Sequence, residues 1–497
     1  MEDWLFYLLP LAICIFLTIL LSQRRKGPSL PPGPQSPVIS LIRSPFEFES
    51  FIRGLFQKHG PVISIKVLTR SAVFIGDRTA AYQALIQQGV TFADRPTSNP
   101  AAQIFNCGQK SISSAKYGPV WRALRRNLTA EILHPSRVQM YAPARKWMLS
   151  ILIDGLKAQM EKEGSVVAME SFQFSMFCLL VFMCFGVKLD ETKIREIEAV
   201  QKQSMLIFVK LQVFSIFPRI TKIIFWKRWN KILSIRKRQE EIFLPLIRAR
   251  QEKKEGEDII FSYVDSLLAL KIPEDGGRKL REGEIVSLCA EFLTGGTDTT
   301  ATSLQWIMAN LVKQPDIQQK LWNEIEQVVG NDSDEVKEDD LQKMAYLKAV
   351  VLEGLRRHPP GHFVLPHTVS QDSKLNGYHI PKNAPINVLV ANIGCDGSIW
   401  SDPFDYRPER FMEGGEGEGV DLTGTKEIKM MPFGAGRRIC PGMVLALMHL
   451  EYFVANLVKE FEWKEIDEEK VDLAEKLEFT VVMKKPLKAY IVPRRKV

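Results

Sequence analysis

The chain has 497 residues, is 45% hydrophobic and carries a net charge of +8. That is ample material for a large core, and the mild basic excess does not call for nucleic acid; anionic lipid or an acidic protein partner meets it equally well. Seven cysteines at irregular spacings, with no CxxC pair, argue against a zinc ribbon or a disulfide framework.

The first predicted element is "WLFYLLPLAICIFLTILL", Trp4 to Leu21, eighteen uncharged residues that nearly span a bilayer as a helix. Glu2 and Asp3 precede it, and Arg24, Arg25 and Lys26 follow, so the positive-inside rule puts the remainder in the cytosol. The acidic start and the poor cleavage site "SQRRKGPS" distinguish it from a removed signal peptide. "LPPGPQSP", Leu30 to Pro37, resists helix and sheet and reads as a stiff hinge. The expected organisation is an anchor over residues 1–26, a hinge over 27–37 and one large domain over 38–497.

"PVISIKVLTRSAVFIGD", Pro61 to Asp77, predicts two short strands joined by a turn. Helical periodicity then dominates to about Gly330. Within that region, Trp121 and Arg125 of "WRALRR" stand four apart on one helix face. They make either an amphipathic basic helix or a pair of donors for a carboxylate. "FPRITKIIFWKRWNK", Phe217 to Lys231, mixes aromatic, aliphatic and basic residues; it is either a membrane contact or an ordinary helix connection. "EFLTGGTDTTATSLQW", Glu291 to Trp306, places two adjacent glycines inside a helix, each costing roughly 1 kcal/mol relative to alanine. A ligand close to the backbone, or a local widening of the helix, would offset that cost. Asp298 and Thr299 follow, an acid beside a hydroxyl, a pair able to hold water and pass protons; the alternative is a surface helix whose hydroxyls bond back to carbonyls.

In "EGLRRHPP", Glu353 and Arg356 share a helix face, a spacing common in ordinary ion pairs. Strand signal returns in "LNGYHIPKNAPINVLVAN", Leu375 to Asn392, and "MEGGEGEGVDLTG", Met412 to Gly424, reads as an irregular acidic loop. "MPFGAGRRICPG", Met431 to Gly442, then sets Cys440 before a last helix at about Gly442 to Phe461. Pro441 suits a first helical turn, so the sulfur faces free N–H groups and the positive end of a helix dipole, both favouring thiolate. Gly434, Gly436 and Gly442 allow close approach of something large and flat, and Arg438 meets an anion on it. A buried structural cysteine is the other reading.

No HExxH, GxxxxGK[ST] or GxSxG occurs, and "GAG" at Gly434 to Gly436 lacks the third glycine of a dinucleotide fingerprint. His362 and His367 are close in sequence, with no carboxylate beside them to complete a metal triad.

Phe433, Gly436, Arg438, Cys440 and Gly442 fill the FxxGxRxCxG signature, and on it the chain resembles the cytochrome P450 family. The resemblance implies a mainly α fold with minor β, the cytochrome P450 fold. It makes Cys440 the axial ligand to the iron of heme b, with Phe433 packed near the sulfur. Trp121, Arg125, Arg95 in "FADRP", His367 in "VLPH" and Arg438 become contacts of the heme propionates. The stretch at Asp298 and Thr299 resembles an oxygen-binding groove, with Thr299 as the hydrogen-bonding hydroxyl and Asp298 as the acid that delivers protons. Glu353, Arg356 and Arg410 of "RPERF" become a structural cluster holding the cysteine loop.

The implied reaction is insertion of one oxygen atom from O2 into a small hydrophobic organic substrate. Its electrons come from NADPH through a cytochrome P450 reductase. The implied location is the endoplasmic reticulum membrane, with lipid as a partner and no nucleic acid. Oxygen-independent isomerisation or dehydration stays open, as does a membrane-anchored binding protein without redox chemistry. One segment departs from the family's pattern. Cys395, Asp396 and Gly397 of "NIGCDGSIW" fall where relatives carry Arg-Asp-Pro, which puts local loop stability in doubt.

Overall fold

The computed structural model describes residues 29–34, 45–67, 70–215, 217–252, 260–274, 276–330, 333 and 335–494. The expected anchor and residues 27, 28 and 35–37 of the expected hinge lie outside them. Residues 29–34 run along the first strand: the Ser64 N–H donates to the Pro32 carbonyl at 2.9 Å and the Ser64 hydroxyl to the Pro31 carbonyl at 2.6 Å.

Helix α1 (Pro45–His59) precedes the hairpin β1 (Val62–Val67) and β2 (Arg70–Ile75). The sequence then turns helical: α2 (Pro119–Glu131), α3 (Ala168–Phe185), α4 (Glu191–Phe208), α5 (Glu282–Lys313) and α6 (Ala345–Arg357). After α6 come β3 (His367–Thr368) and β4 (Pro385–Val388), then α7 (Met443–Glu460) and the hairpin β5 (Glu475–Leu477) and β6 (Val481–Met483). Strands β1 to β4 form one sheet in the order β1-β2-β4-β3, with β2 and β4 parallel. The antiparallel pair of β3 with β4 fixes His367 opposite Ile386, on the strand at the sheet's edge.

Local chemistry sets the helix limits. Pro119 occupies the start of α2, where its missing N–H costs nothing. Gly186 ends α3 at φ +69°, the left-handed geometry that glycine adopts without a Cβ penalty. Helix α3 is the one described helix apolar and long enough to cross a bilayer, but most of it is buried in the protein interior.

The 32-residue α5 organises the molecule. Its first half, Ile285 to Leu293, packs into a core with α3; its second half, Ala301 to Val312, packs into a core with α6 and α7. Between the two cores lies "TGGTDT", where only Thr297 is buried and Gly295 is exposed. A polar, accessible gap halfway along a central helix marks a groove.

Candidate active site

The loop that carries Cys440 is closed on itself. The Gly434 N–H donates to the Met431 carbonyl and the Cys440 N–H to the Phe433 carbonyl, each at 2.9 Å. Phe433 packs against the core that holds α6 and α7. Gly436 has φ +70°, and a Cβ there would lie 2.1 Å from the Leu85 carbonyl oxygen. Only glycine lets this loop rest on the π-helical turn Gln83–Gln87.

Helix α7 begins at Met443 with Gly442 as its cap, so Pro441 precedes the first turn instead of occupying it. The Gly442 N–H turns back to the sulfur. Burial pushes the Cys440 thiol up, and the Gly442 N–H and the Arg125 charge only partly offset this. Backbone and dipole therefore do not favour a thiolate by themselves. Cys440 is nevertheless exposed by accessible surface. The residue is therefore accessible even though protein groups crowd its sulfur.

Beside it, cations crowd together. Arg95 donates to the carbonyls of Ser113 (2.8 Å), Leu365 (2.6 Å) and Pro366 (3.0 Å). Arg438 donates to Ala93 and Ala115, both at 2.7 Å. The Arg438 guanidinium also lies 4.3 Å from the Trp121 ring, whose Nε1 donates to Ile112 at 3.1 Å. Burial, then repulsion from Arg438, brings Arg95 down to about 9. Burial brings Arg438 down to about 10, with Arg125 adding to the fall and Asp94 opposing it. Burial and the Arg95 charge hold His367 near 3, so it is neutral and its Nδ1–H donates to the Phe92 carbonyl at 2.7 Å. Among the described residues, Arg95, Arg125 and Arg438 make no ion pair with a carboxylate, although Asp94 and Glu291 act on Arg95 at longer range. An accessible thiol beside arginines without a paired carboxylate fits heme b: one sulfur for iron and arginines for two propionates.

On the groove side, α5 is regular α-helix through both glycines, so no local widening occurs. The two glycines have separate reasons. A Cβ on Gly296 would meet the Leu180 Cδ1 at 2.8 Å, so Gly296 permits the close packing of α5 on α3. A Cβ on Gly295 would meet nothing within 4 Å, and this position keeps the groove open. The Thr299 hydroxyl donates to the Gly295 carbonyl at 2.7 Å. Asp298 points elsewhere, accepting from Gln173 Nε2 at 2.9 Å, and burial raises its proton affinity. The acid and the hydroxyl therefore do not bond each other.

Glu353, Arg356 and Arg410 come together as a buried cluster. Arg356 grips both Glu353 oxygens at 2.6 and 2.8 Å, and Arg410 Nε reaches Oε1 at 3.2 Å. The Arg407 N–H adds a bond to Oε1 at 2.8 Å. Arg356 also donates to the Gly394 carbonyl at 2.8 Å and lies 5.3 Å from the Trp400 ring. The departing segment Cys395–Gly397 is thus framed by the cluster's own supports. Its turn is satisfied, with the Asp396 side chain accepting Ser398 N–H at 2.9 Å.

Two residues of the site escaped the sequence reading. Glu291 accepts the N–H groups of Ile112 and Ser113, and Gln173 binds Asp298. An acid within the apolar run "LCAEFL", seven residues before Asp298 and so on the same helix face, was the available signal for Glu291. His362 does have carboxylates, from remote parts of the chain: Nδ1 lies 2.6 Å from Glu49 and Nε2 3.7 Å from Glu475, which also takes His358 Nδ1 at 3.2 Å. Even so, no group of three or more ligand side chains among the described residues is arranged to hold a metal ion.

The sequence signature, the helical fold around α5 and the accessible cysteine are those of a heme monooxygenase class. The family model "Cytochrome P450" matches residues 29–492, and the chain belongs to that family. It is 48% identical over 483 residues to cytochrome P450 89A9 of Arabidopsis thaliana, covering 94% of each chain. It is 30% identical to an Arabidopsis flavonoid 3'-monooxygenase, over 99% of this chain and 97% of that one. A zebra fish cytochrome P450 solved with progesterone shares the fold at TM-score 0.75 and 20% identity, covering 90% of this chain and 99% of that one. The protein is an oxidoreductase that uses heme b iron, with electrons supplied by a reductase.

Proposed function

We propose that the chain is a membrane-anchored monooxygenase that inserts one oxygen atom of O2 into a small hydrophobic organic substrate. NADPH–cytochrome P450 reductase supplies its electrons. The observation that carries this reading is the accessible Cys440 beside arginines that make no ion pair with a carboxylate among the described residues. Its relatives include proteins named as flavonoid monooxygenases, which supports oxygen insertion.

Cys440 holds the iron, and Arg95, Arg125, Arg438, Trp121 and His367 hold the propionates. Gly436 seats the loop, and Phe433 shields the sulfur from water. Heme, when bound, supplies the oxygen and electron chemistry, which a thiolate ligand biases toward O–O cleavage. The chain's own residues manage protons. Thr299 spends its O–H on the Gly295 carbonyl and keeps its lone pairs for the groove. Asp298, with its raised proton affinity, exchanges a proton closer to neutrality. The Glu353–Arg356–Arg410 cluster holds the segment that leads to the cysteine loop.

The anchor at 1–26 places the domain on the cytosolic face of the endoplasmic reticulum. A second lipid contact is supported by Phe217, Ile223, Ile224 and Trp226, all exposed, among Arg219, Lys222 and Lys227. Replacing Phe225 and Trp226 by polar residues in an anchor-deleted protein should release it from membranes; unchanged retention counts against this contact.

The ferrous–CO spectrum tests the whole reading. The protein should show the thiolate-type Soret shift, and Cys440→Ser should abolish it while leaving membrane insertion intact. Turnover without O2 or NADPH would favour oxygen-independent chemistry instead.

A further inference from the structure

Asp298 and Thr299 are neighbours in sequence whose side chains answer to different helices. Thr299 is tied to its own helix at Gly295, whereas Asp298 Oδ1 is held at 2.9 Å by the amide of Gln173, on α3. The backbone under that amide is fixed relative to α5, because Gly296 admits Leu180 of the same α3 helix at close range. The charged groups facing Asp298 come from α4 and from the β5–β6 turn: Lys202 and Glu198, and Glu478. Each is already engaged. Lys202 pairs with Glu198 at 2.9 Å, Arg195 joins Glu198 at 3.2 Å, and Glu478 pairs with Lys476 at 2.6 Å. The neutral amide is thus the group that orients the carboxylate, and the one attracting charge among these neighbours is Lys202.

We propose that Gln173 is a positioning residue for proton delivery: its amide fixes the Asp298 carboxylate between α5 and α3, against the pull of Lys202 on α4. The proposal rests on the reading of Asp298 as the proton-delivering acid. In that role the protonated carboxyl passes its proton to the Thr299 hydroxyl or to a water between them. The hydroxyl accepts it on a lone pair and releases its own O–H proton, turned from the Gly295 carbonyl, into the groove; the carboxylate is reprotonated from solvent, with no electrons exchanged. Without the amide the carboxylate turns toward Lys202 and the proton path lengthens.

Gln173→Met keeps the side-chain length and removes the donor. Two measurements on it test the proposal. In the heme-free protein, the Asp298 carboxyl band, assigned by its loss in Asp298→Asn, should titrate at higher pH in Gln173→Met, because the lost donor stabilised the charged form. In the heme-loaded, membrane-bound protein with reductase, product formed per NADPH consumed should fall about three- to tenfold, the worth of one such hydrogen bond. Substrate KM should stay unchanged, and so should turnover driven by iodosylbenzene, an oxygen donor that needs no delivered protons. Gln173→Asn, too short to reach, should behave like Gln173→Met. An unmoved carboxyl titration overturns the proposal, and so does an equal loss with iodosylbenzene. Coupling unaffected by Asp298→Asn overturns the delivery reading and the proposal with it, even where the titration shows the hydrogen bond.

Discussion

The Glu291 carboxylate accepts the backbone N–H of Ser113 at 2.7 Å and, with its other oxygen, that of Ile112 at 2.8 Å. The carbonyls of the same loop accept Trp121, Arg95 and Arg438. One acid on the central helix thus fixes the loop on which three of the proposed propionate contacts rest. Glu291→Gln keeps one acceptor and loses the charge, a change of roughly 1.5–3 kcal/mol for a charge-assisted bond. Heme transfer to apomyoglobin should accelerate by about tenfold or more; an unchanged rate would show that the loop holds itself.

Glu353 is fully buried with Arg356, and Arg410 is nearly so. Removing the acid leaves buried Arg356 without its counter-ion and Arg410 with Glu416 alone, which costs about 3–5 kcal/mol. Glu353→Gln should therefore lower the thermal midpoint sharply and leave little heme-loaded protein. Glu416 binds the same Arg410 from a more exposed position, with its side chain 31% accessible. Glu416→Gln should cost far less by the same melting measurement.

The adjacent glycines should respond in opposite ways to alanine. Gly295→Ala adds a methyl to open space and gains helix propensity, up to about 1 kcal/mol. It should raise the melting temperature while narrowing the groove and changing substrate-induced spectral shifts. Gly296→Ala drives its methyl to 2.8 Å from Leu180 and should lower the melting temperature by overpacking.

His449 on α7 is 3% exposed, and its Nε2 has no hydrogen-bond partner. Burial, with the nearby Arg145 charge, holds it near 3, against about 6.5 in an unfolded chain. The unfolded state therefore takes up the proton first as pH falls. Stability from this group is fully present above about pH 6.5 and is lost progressively toward pH 3, on the order of a few kcal/mol. His449→Phe, which fits the same apolar site, should flatten that acid limb in denaturant titrations at pH 4 to 7. An identical slope in the variant would assign the acid sensitivity to other groups.

Much of the site was legible because its chemistry is local in sequence. Cys440, Arg438 and Gly436 stand within five residues, and Glu353 and Arg356 within one helical turn. The strand pair after Pro61 showed in alternation and turn residues. What could not be read were partners supplied from far away: Gln173 lies 125 residues from Asp298, and Glu49 lies 313 from His362. Spacing also misjudged direction. It placed Asp298 and Thr299 side by side, but consecutive helical residues diverge by about 100° and here meet different neighbours. The glycine pair was noticed for its cost, yet a tight helix crossing explains one member and an open groove the other. Pro441 looked like a helix start; the Gly442 N–H, turned to the sulfur, delays the helix to Met443.

The contact of His362 with both Glu49 and Glu475 joins the first described helix to one of the last strands. During synthesis, Glu475 and the cysteine loop leave the ribosome after nearly everything else. The nascent chain can assemble the α3–α5 core early, but it must wait with helix α1 unlatched and without Cys440, the proposed iron ligand. On that proposal, capture of the prosthetic group comes last in biogenesis, and a ribosome stalled before Cys440 would carry a folded half-shell that chaperones, not heme, must protect.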